Sequence, residues 1–458
     1  MRTTAIGALT LVGALTFASI RQGAYHESQH QLFAIVMGAA GVVLLVVDRK
    51  WRPLRFAAIV MTPLLASTIL STLLADDRND SASTFLTIAL VGVALAVGTA
   101  LDNERRQLAI VGVLGVAGLI AATAIWGVAF HDAPWGRITE GTWRGSSSIT
   151  YANGAAAVVG PCAALAFRLA MAAHRWFYVP VATFLLIGLA ATQSRGGALA
   201  FGLVALGALI FCNRDAFART ALAVVVGCAV GTIPLLAFAS TDSPTNPGLV
   251  FGAIAIGVGV SAGIARIRES LQYPWSTLAA IALGSVVVLA STGVSDQLTA
   301  RLTLRSGTTA GGQDAGVLFG DRAQGWSTAW DQFTQAPILG HGPGNVDLVW
   351  TEGGRTFQAL FVHNEFLELG VTHGVVGVLA LVMSAGLVFR SWRHDDVVAA
   401  AVGVALAMFL VHSLVDFLWH IPLLPVLFAF LVGLAMSSPS PVHEEEPSIE
   451  VPVYEARR

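Results

Sequence analysis

The sequence predicts an all-α polytopic integral membrane protein of about 12–14 transmembrane helices, with a long extracytoplasmic loop before a His-Asn helix. Three observations carry this. Only 12% of the 458 residues are charged, against about 25% in a soluble domain. Hydrophobic residues make up 55% of the chain, and the mean hydropathy is +0.71. Apolar runs recur along nearly its whole length, each close to the roughly 20 helical residues that a bilayer core requires.

Fourteen spans are expected, at 4–20, 32–48, 56–75, 83–101, 108–130, 152–173, 177–192, 196–212, 220–239, 249–265, 276–292, 372–389, 397–415 and 421–437. The first, "AIGALTLVGALTFASI", has the apolar character of a signal peptide. The following "RQGAYHESQH" offers no small-x-small cleavage site, so an uncleaved helix is expected. The Gly-rich run 249–265 is the weakest span. Most of the 26 Lys and Arg residues fall in alternate loops such as "DRKWRPLR", "NERRQ", "CNRDAFAR" and "RSWRHDD". Basic residues mark cytoplasmic loops, so both termini are expected inside. Cys162, Cys212 and Cys228 show no disulfide or ligand spacing and read as small apolar residues.

Four regions follow: spans 1–11 over 1–292, an extracytoplasmic loop at 293–362, the His-Asn helix and last spans over 363–437, and a Pro- and Glu-rich disordered cytoplasmic tail at 438–458. A loop as long as 293–362 usually carries function. Its Gly-rich middle, "SGTTAGGQDAGVLFG", reads as mobile. Its end predicts a surface helix over 321–335, with Trp326, Trp330 and Phe333 on one apolar face, Asp321 as N-cap and Pro337 beyond the end. A second outer segment, "HDAPWGRITEGTWRGSSSITY" (131–151), reads as a loop.

Orientation rules disfavour outer Arg residues, yet Arg137, Arg144, Arg195 and Arg322 lie on that side. Arg195 opens a span in the short turn "TQSRGG". It either snorkels to the interface or, with Arg322 and with Arg137 and Arg144, converges on one pyrophosphate, which Arg binds bidentately.

Two polar clusters invite chemistry. In "FVHNEFLELG", His363 precedes Asn364, Glu365 and Glu368. A His can take a proton from an alcohol during group transfer; equally, such a segment is a helix start rich in polar caps and dipole-favoured acids. In "VHSLVDFLWHIP", His412, Asp416 and His420 at i, i+4, i+8 form one helical stripe, read either as an ion-paired stripe packing on the His-Asn helix or as a metal site. His341 and Asn345 sit in the glycine turn "GHGPGN", where a structural turn is the default.

Four pieces, covering roughly residues 190–435, together resemble the O-antigen ligase and polymerase family of membrane glycosyltransferases. They are "TQSRGGALAFGLVALGALI", "DRAQGWSTAWDQFTQAPILGHGPGN", "HNEFLELGVTHGVVG" with Gly374 and Gly377, and "HSLVDFLWHIP". "GRITEGTWRGSSSITYANGAAA" resembles an Asn-containing family segment more weakly. The chain departs from the pattern at Thr372, where the family often has an acidic residue. The resemblance implies that His363 is the catalytic residue and that Arg195 and Arg322 bind a diphosphate.

The expected activity is therefore transfer of an oligo- or polysaccharide from a polyprenyl-diphosphate carrier to an acceptor hydroxyl, at the outer face of the cytoplasmic membrane. His363 acts as general base, with inversion at the anomeric centre, and the long loop closes over the site. Arg195 and Arg322, joined by Arg137 and Arg144, bind substrate; Asn364, Glu365, His412, Asp416 and His341 support the site. The chemistry calls for no cofactor and no metal. Partners are the lipid-linked glycan donor, a lipid, glycan or protein acceptor, and membrane lipids, with no nucleic acid. A polymerase of the same family is the nearest alternative, and a lipid-linked glycan transporter or flippase the next. A transporter places its polar residues near mid-span in interrupted helices, whereas here they gather at the span ends.

Overall fold

The computed structural model describes residues 2–43, 51–75, 81–139, 141–172, 175–267, 275–276, 322–352, 355–393 and 395–437. Fourteen α-helices dominate them: α1 (Arg2–Ile20), α2 (Glu27–Val42), α3 (Trp51–Leu74), α4 (Ser81–Ala100), α5 (Asn103–Ala129), α6 (Ala152–Ala170), α7 (Tyr178–Thr192), α8 (Arg195–Phe211), α9 (Arg214–Ala237), α10 (Pro247–Ile267), α11 (Arg322–Gln335), α12 (Glu365–Arg390), α13 (Val397–Ser413) and α14 (Leu423–Met436). Seven of these, α3, α4, α5, α6, α9, α10 and α12, are long and apolar enough to cross a bilayer. The chain is an all-α polytopic membrane protein. The expected span 276–292 beyond Ser276, the Gly-rich middle of the long loop, the Asp321 cap and the tail lie outside the described residues.

The bundle is held by close packing, because lipid tails offer no hydrophobic incentive for one helix to leave them for another. Helix α14 packs on α4, α9 on α10, and α6 on α7 and α13. Helices α4 and α14 approach closely at Gly98 and Gly433, where a Cβ on either would lie 2.5 Å from a backbone carbonyl of the other helix. The Gly-rich run 249–265 proves to be the helix α10; Gly257 lets it lie against α9, since a Cβ there would stand 2.4 Å from the Gly227 carbonyl oxygen. At one end, Arg106 at the start of α5 makes a bidentate pair with Asp396, at 2.7 and 2.6 Å. Asp396 also caps α13 by accepting from Val398 and Ala399 N–H groups.

Helix α12 is interrupted, and the interruption fixes the region before it. Gly374 takes φ +63° and ψ −164°. The carbonyls of Val371 and Thr372 accept not from their own helix but from His341 and Gly342 N–H, both at 2.9 Å. In exchange, the N–H groups of Val375 and Val376 donate to Pro337 and Ile338 carbonyls, at 2.8 and 3.2 Å. The glycine turn thus fills the gap in the helix and satisfies the backbone groups it frees. From α3, the Ser71 hydroxyl also donates to the Thr372 carbonyl, at 2.6 Å. Helix α11 is locked to α12 by this exchange.

Two antiparallel hairpins depart from the sequence expectation. Strands β1 (Gly136–Thr139) and β2 (Thr142–Gly145) pair within the outer segment read as a loop, turning at Gly141 with φ +73°. Strands β3 (Leu348–Glu352) and β4 (Arg355–Ala359) pair after the glycine turn. Helix α11 packs on β3 and α12 rather than only lying on a membrane surface. Its inner face holds Trp326, Ala329 and Phe333, around buried Leu348, Val362 and Val371. Trp330, expected on that face, is 57% exposed, because Ala329 takes the inward position.

Gly374→Ala places a Cβ 2.3 Å from the Ile338 carbonyl carbon and demands a left-handed conformation of an L-residue. We expect it to destabilise the protein by at least about 1–3 kcal/mol, read as a lower unfolding midpoint in detergent. Gly386→Ala, whose Cβ meets nothing within 4 Å, serves as the silent control.

Candidate active site around Asp416

The segment joining α13 to α14 carries the site. Helix α13 stops at Ser413, where Leu414 and Val415 N–H groups turn back to Val411 and His412 carbonyls. The helical stripe expected through His412, Asp416 and His420 therefore does not form. The three residues part: His412 stays on the helix, Asp416 turns into the protein, and His420 faces a different cluster.

Asp416 is 1% exposed, and donors from four parts of the chain converge on its carboxylate. Oδ1 accepts from the Tyr151 hydroxyl at 2.5 Å, the Phe417 N–H at 2.9 Å and His363 Nδ1 at 3.3 Å. Oδ2 accepts from the Asn153 amide at 2.5 Å and faces the Arg322 guanidinium at 3.7 Å. Arg322, the first residue of α11, also donates to the Val415 carbonyl at 2.5 Å. Burial alone would raise the pKa of Asp416. The His363 hydrogen bond, the Arg322 charge and the Tyr151 hydroxyl override it and bring the value down to about 2. Burial, then the Asp416 charge, pushes the Tyr151 phenol well above its usual range, so it remains a neutral donor.

An ionised carboxylate only accepts, so the proton of the His363–Asp416 bond belongs to His363 Nδ1, and in the neutral ring the lone pair is then on Nε2. His363 adopts φ +54°, a left-handed conformation that bulky residues take at a cost and that clusters at functional sites. Its ring meets Phe417 edge-on, with centroids 4.8 Å apart, and Phe417 in turn stacks on Tyr151 and Phe361.

The other Arg residues approach from the neighbouring hairpin and turn. Arg144 donates to the Thr192 carbonyl at 3.1 Å and to Asn153 Oδ1 at 3.2 Å, so it joins Asp416 through Asn153. Arg137 faces Arg144 directly across the β1–β2 ladder, and both line a cavity of about 140 Å³ with Ser146, Thr150, Tyr151 and Asn153. Arg195 opens α8, where Ser194 caps the helix by accepting from the Gly197 N–H. The next residue, Gly196, packs against His412 and Val415, each 3.1 Å from where a Cβ would stand. His412 is fully buried there, and among the described residues neither ring nitrogen has a hydrogen-bond partner.

Three expected supporting residues have other places. Asn364 caps α12 by accepting from Phe366 and Leu367 N–H groups. Glu365 accepts from the Trp419 N–H and lies with Glu368 and His420. His341 bonds the Gln332 carbonyl at 2.9 Å within the glycine-turn lock. Conversely, sequence reading left out Tyr151 and Asn153, although "SITYANG" sets both at the mouth of a span. The arrangement pairs an oriented imidazole before α12 with cationic side chains at the starts of α8 and α11 and on the β1–β2 hairpin.

Asp416 is depressed below the ordinary carboxylate value of 3.8, so its ionic contribution to stability is complete above about pH 4 and is lost as pH falls through about 2. The gap in unfolding midpoint between wild type and Asp416→Asn is therefore expected to be constant from pH 5 to 8 and to narrow as the pH falls from about 4 towards about 2.

Comparison with known proteins bears on what this arrangement serves. A search of curated proteins gave no match. Residues 246–382 match the family described as O-Antigen ligase. That stretch runs from the start of α10 into α12 and contains Arg322, His341, His363, Asn364 and Glu365, whereas Arg137, Arg144, Arg195, His412 and Asp416 lie outside it. The match covers less than a third of the chain and marks this multi-pass membrane protein as similar there to O-antigen ligases, which supports a ligase- or polymerase-type glycosyltransferase in general terms.

Proposed function

We propose that the protein transfers an oligo- or polysaccharide from a polyprenyl-diphosphate carrier to an acceptor hydroxyl at the outer face of the cytoplasmic membrane. The single observation that carries this reading is that His363 and Arg322 meet on one buried carboxylate, that of Asp416. A proton acceptor and a phosphate-binding cation then stand beside each other.

The chemistry asks for two things. The diphosphate leaving group gains charge as the glycosidic bond breaks, and the acceptor hydroxyl loses a proton as the new bond forms. Arg322 and Arg195 neutralise the first; guanidinium forks suit phosphate oxygens, and Arg322 keeps donors beyond those spent on Val415 and Asp416. His363 Nε2 takes the proton. Asp416 holds the ring in that tautomer and stabilises the imidazolium that results, the role a buried carboxylate has in hydrolytic triads. Attack from the face opposite the diphosphate inverts the anomeric centre. Arg144 and Arg137 extend the cationic wall beyond Asn153. The acceptor is a lipid, a glycan or a protein; a polymerase reading differs from a ligase reading only in that choice.

The test is a purified-protein assay with a labelled lipid-linked glycan and candidate acceptors. His363→Ala is expected to lower transfer by about 10²–10⁴-fold, and Arg322→Lys or Arg195→Lys to lower kcat/KM by about 10²-fold. Wild-type rates in His363→Ala would remove that residue as the base. Full activity in both Lys variants would remove bidentate diphosphate binding.

A further inference from the structure

Just below His363, three side chains turn their ligating atoms towards one point. Glu365 and Glu368, on the first turn of α12, are 3% and 4% exposed. Each spends one carboxylate oxygen on a backbone amide: Glu365 Oε1 accepts from Trp419 and Glu368 Oε2 accepts from Val362 at 3.0 Å. The remaining oxygens face His420 Nε2, Glu368 Oε1 at 2.5 Å and Glu365 Oε2 at 4.0 Å. The three ligand atoms lie within 4.8 Å of one another.

Helix-dipole stabilisation explains why acids are tolerated at this helix start. It does not explain why their oxygens converge on one imidazole nitrogen. Asp416 has Arg322, but among the described residues no Arg or Lys pairs with Glu365 or Glu368, so the imidazole of His420 is the group their free oxygens face. Glu365 Oε2, on a side chain that is 3% exposed, stands 4.0 Å from His420 Nε2 and points into the cluster. The amides of Trp419 and Val362 hold the outer oxygens, which is how ligating carboxylates are commonly oriented.

We propose that Glu365, Glu368 and His420 form a binding site for one divalent cation of the zinc or manganese type, which fastens the start of α12 to the segment between α13 and α14. A ligand set of two carboxylates and one imidazole suits such ions. Around a tetrahedral ion with bonds of about 2.0–2.2 Å, ligand atoms stand roughly 3.3 Å apart. The present separations of 2.5 and 4.0 Å straddle that spacing, so small side-chain rotations admit the ion. The ion takes the Nε2 lone pair and displaces the proton now shared with Glu368. The half-exposed His420 ring opens the site to solvent and supplies the route in. Bound there, the ion ties residues 365–368 to 419–420 and so keeps His363 within reach of Asp416. No step of the proposed glycosyl transfer runs through it.

The decisive experiment uses the full chain, purified in detergent, stripped with chelator and titrated with Zn²⁺ alone. We expect one equivalent bound per chain by elemental analysis, a raised unfolding midpoint, and a nitrogen- and oxygen-only first shell by X-ray absorption. Glu365→Gln and Glu368→Gln each keep an acceptor for the backbone amide and are expected to weaken Zn²⁺ binding by more than about 100-fold, beyond the loss that an outer partner alone causes. Failure of the wild type to bind a stoichiometric ion, unchanged affinity in both variants, or sulfur in the first shell would each overturn the proposal. None of these readouts depends on glycosyl transfer, so the site and the proposed activity fail or stand separately.

Discussion

A single buried carboxylate organises this end of the molecule. Asp416 is the point at which the starts of α6, α11 and α12 and the end of α13 meet, through Tyr151 and Asn153, Arg322, His363 and the Asp416 segment itself. A buried charge without partners is costly to the fold, so the structure surrounds this one with donors. Two of these donors, His363 and Arg322, are the groups that the proposed transfer uses. Satisfying Asp416 therefore aligns the imidazole with the guanidinium, and the electrostatics of stability and of the proposed chemistry have a common origin.

That arrangement needs a rigid frame, and the frame is built from backbone and side-chain bonds together. The glycine turn at 337–342 fills the break in α12 at Gly374 and fixes α11, hence Arg322, against the helix whose mouth bears His363. The β1–β2 hairpin is tied to the α7–α8 turn through Arg144 on the Thr192 carbonyl and Gln193 on the Trp143 carbonyl. It thus brings the Arg195 turn and the Arg137–Arg144 pair to the same end of the bundle. Arg106 and Asp396 pin α5 to α13 at their opposite ends.

Much of this was legible in the sequence, for identifiable reasons. A bilayer imposes length and apolarity on each span, so thirteen of the fourteen expected spans coincide with described helices, and the other lies outside the described residues. His363, Arg322 and Arg195 stood out because polar groups at the mouth of a span need a reason to be there. Other features depend on tertiary partners that spacing cannot reveal. The stripe through His412, Asp416 and His420 presumed that α13 continues, but it ends at Ser413 so that Asp416 can reach its donors. Trp330 presumed a lipid-facing helix, whereas α11 packs on protein through Ala329. Of the two readings of the segment at Asn364, the structure shows the cap, and "GHGPGN" read as a turn without showing what it plugs.

The account stands on Asp416 acting through His363 rather than beside it. Transfer rates of His363→Ala, Asp416→Asn and the double variant test this most directly, because residues that work as one unit lose activity non-additively. The account predicts that the double variant is no slower than His363→Ala alone. Losses that multiply, with the double variant slower by the full product of the two single effects, would contradict it.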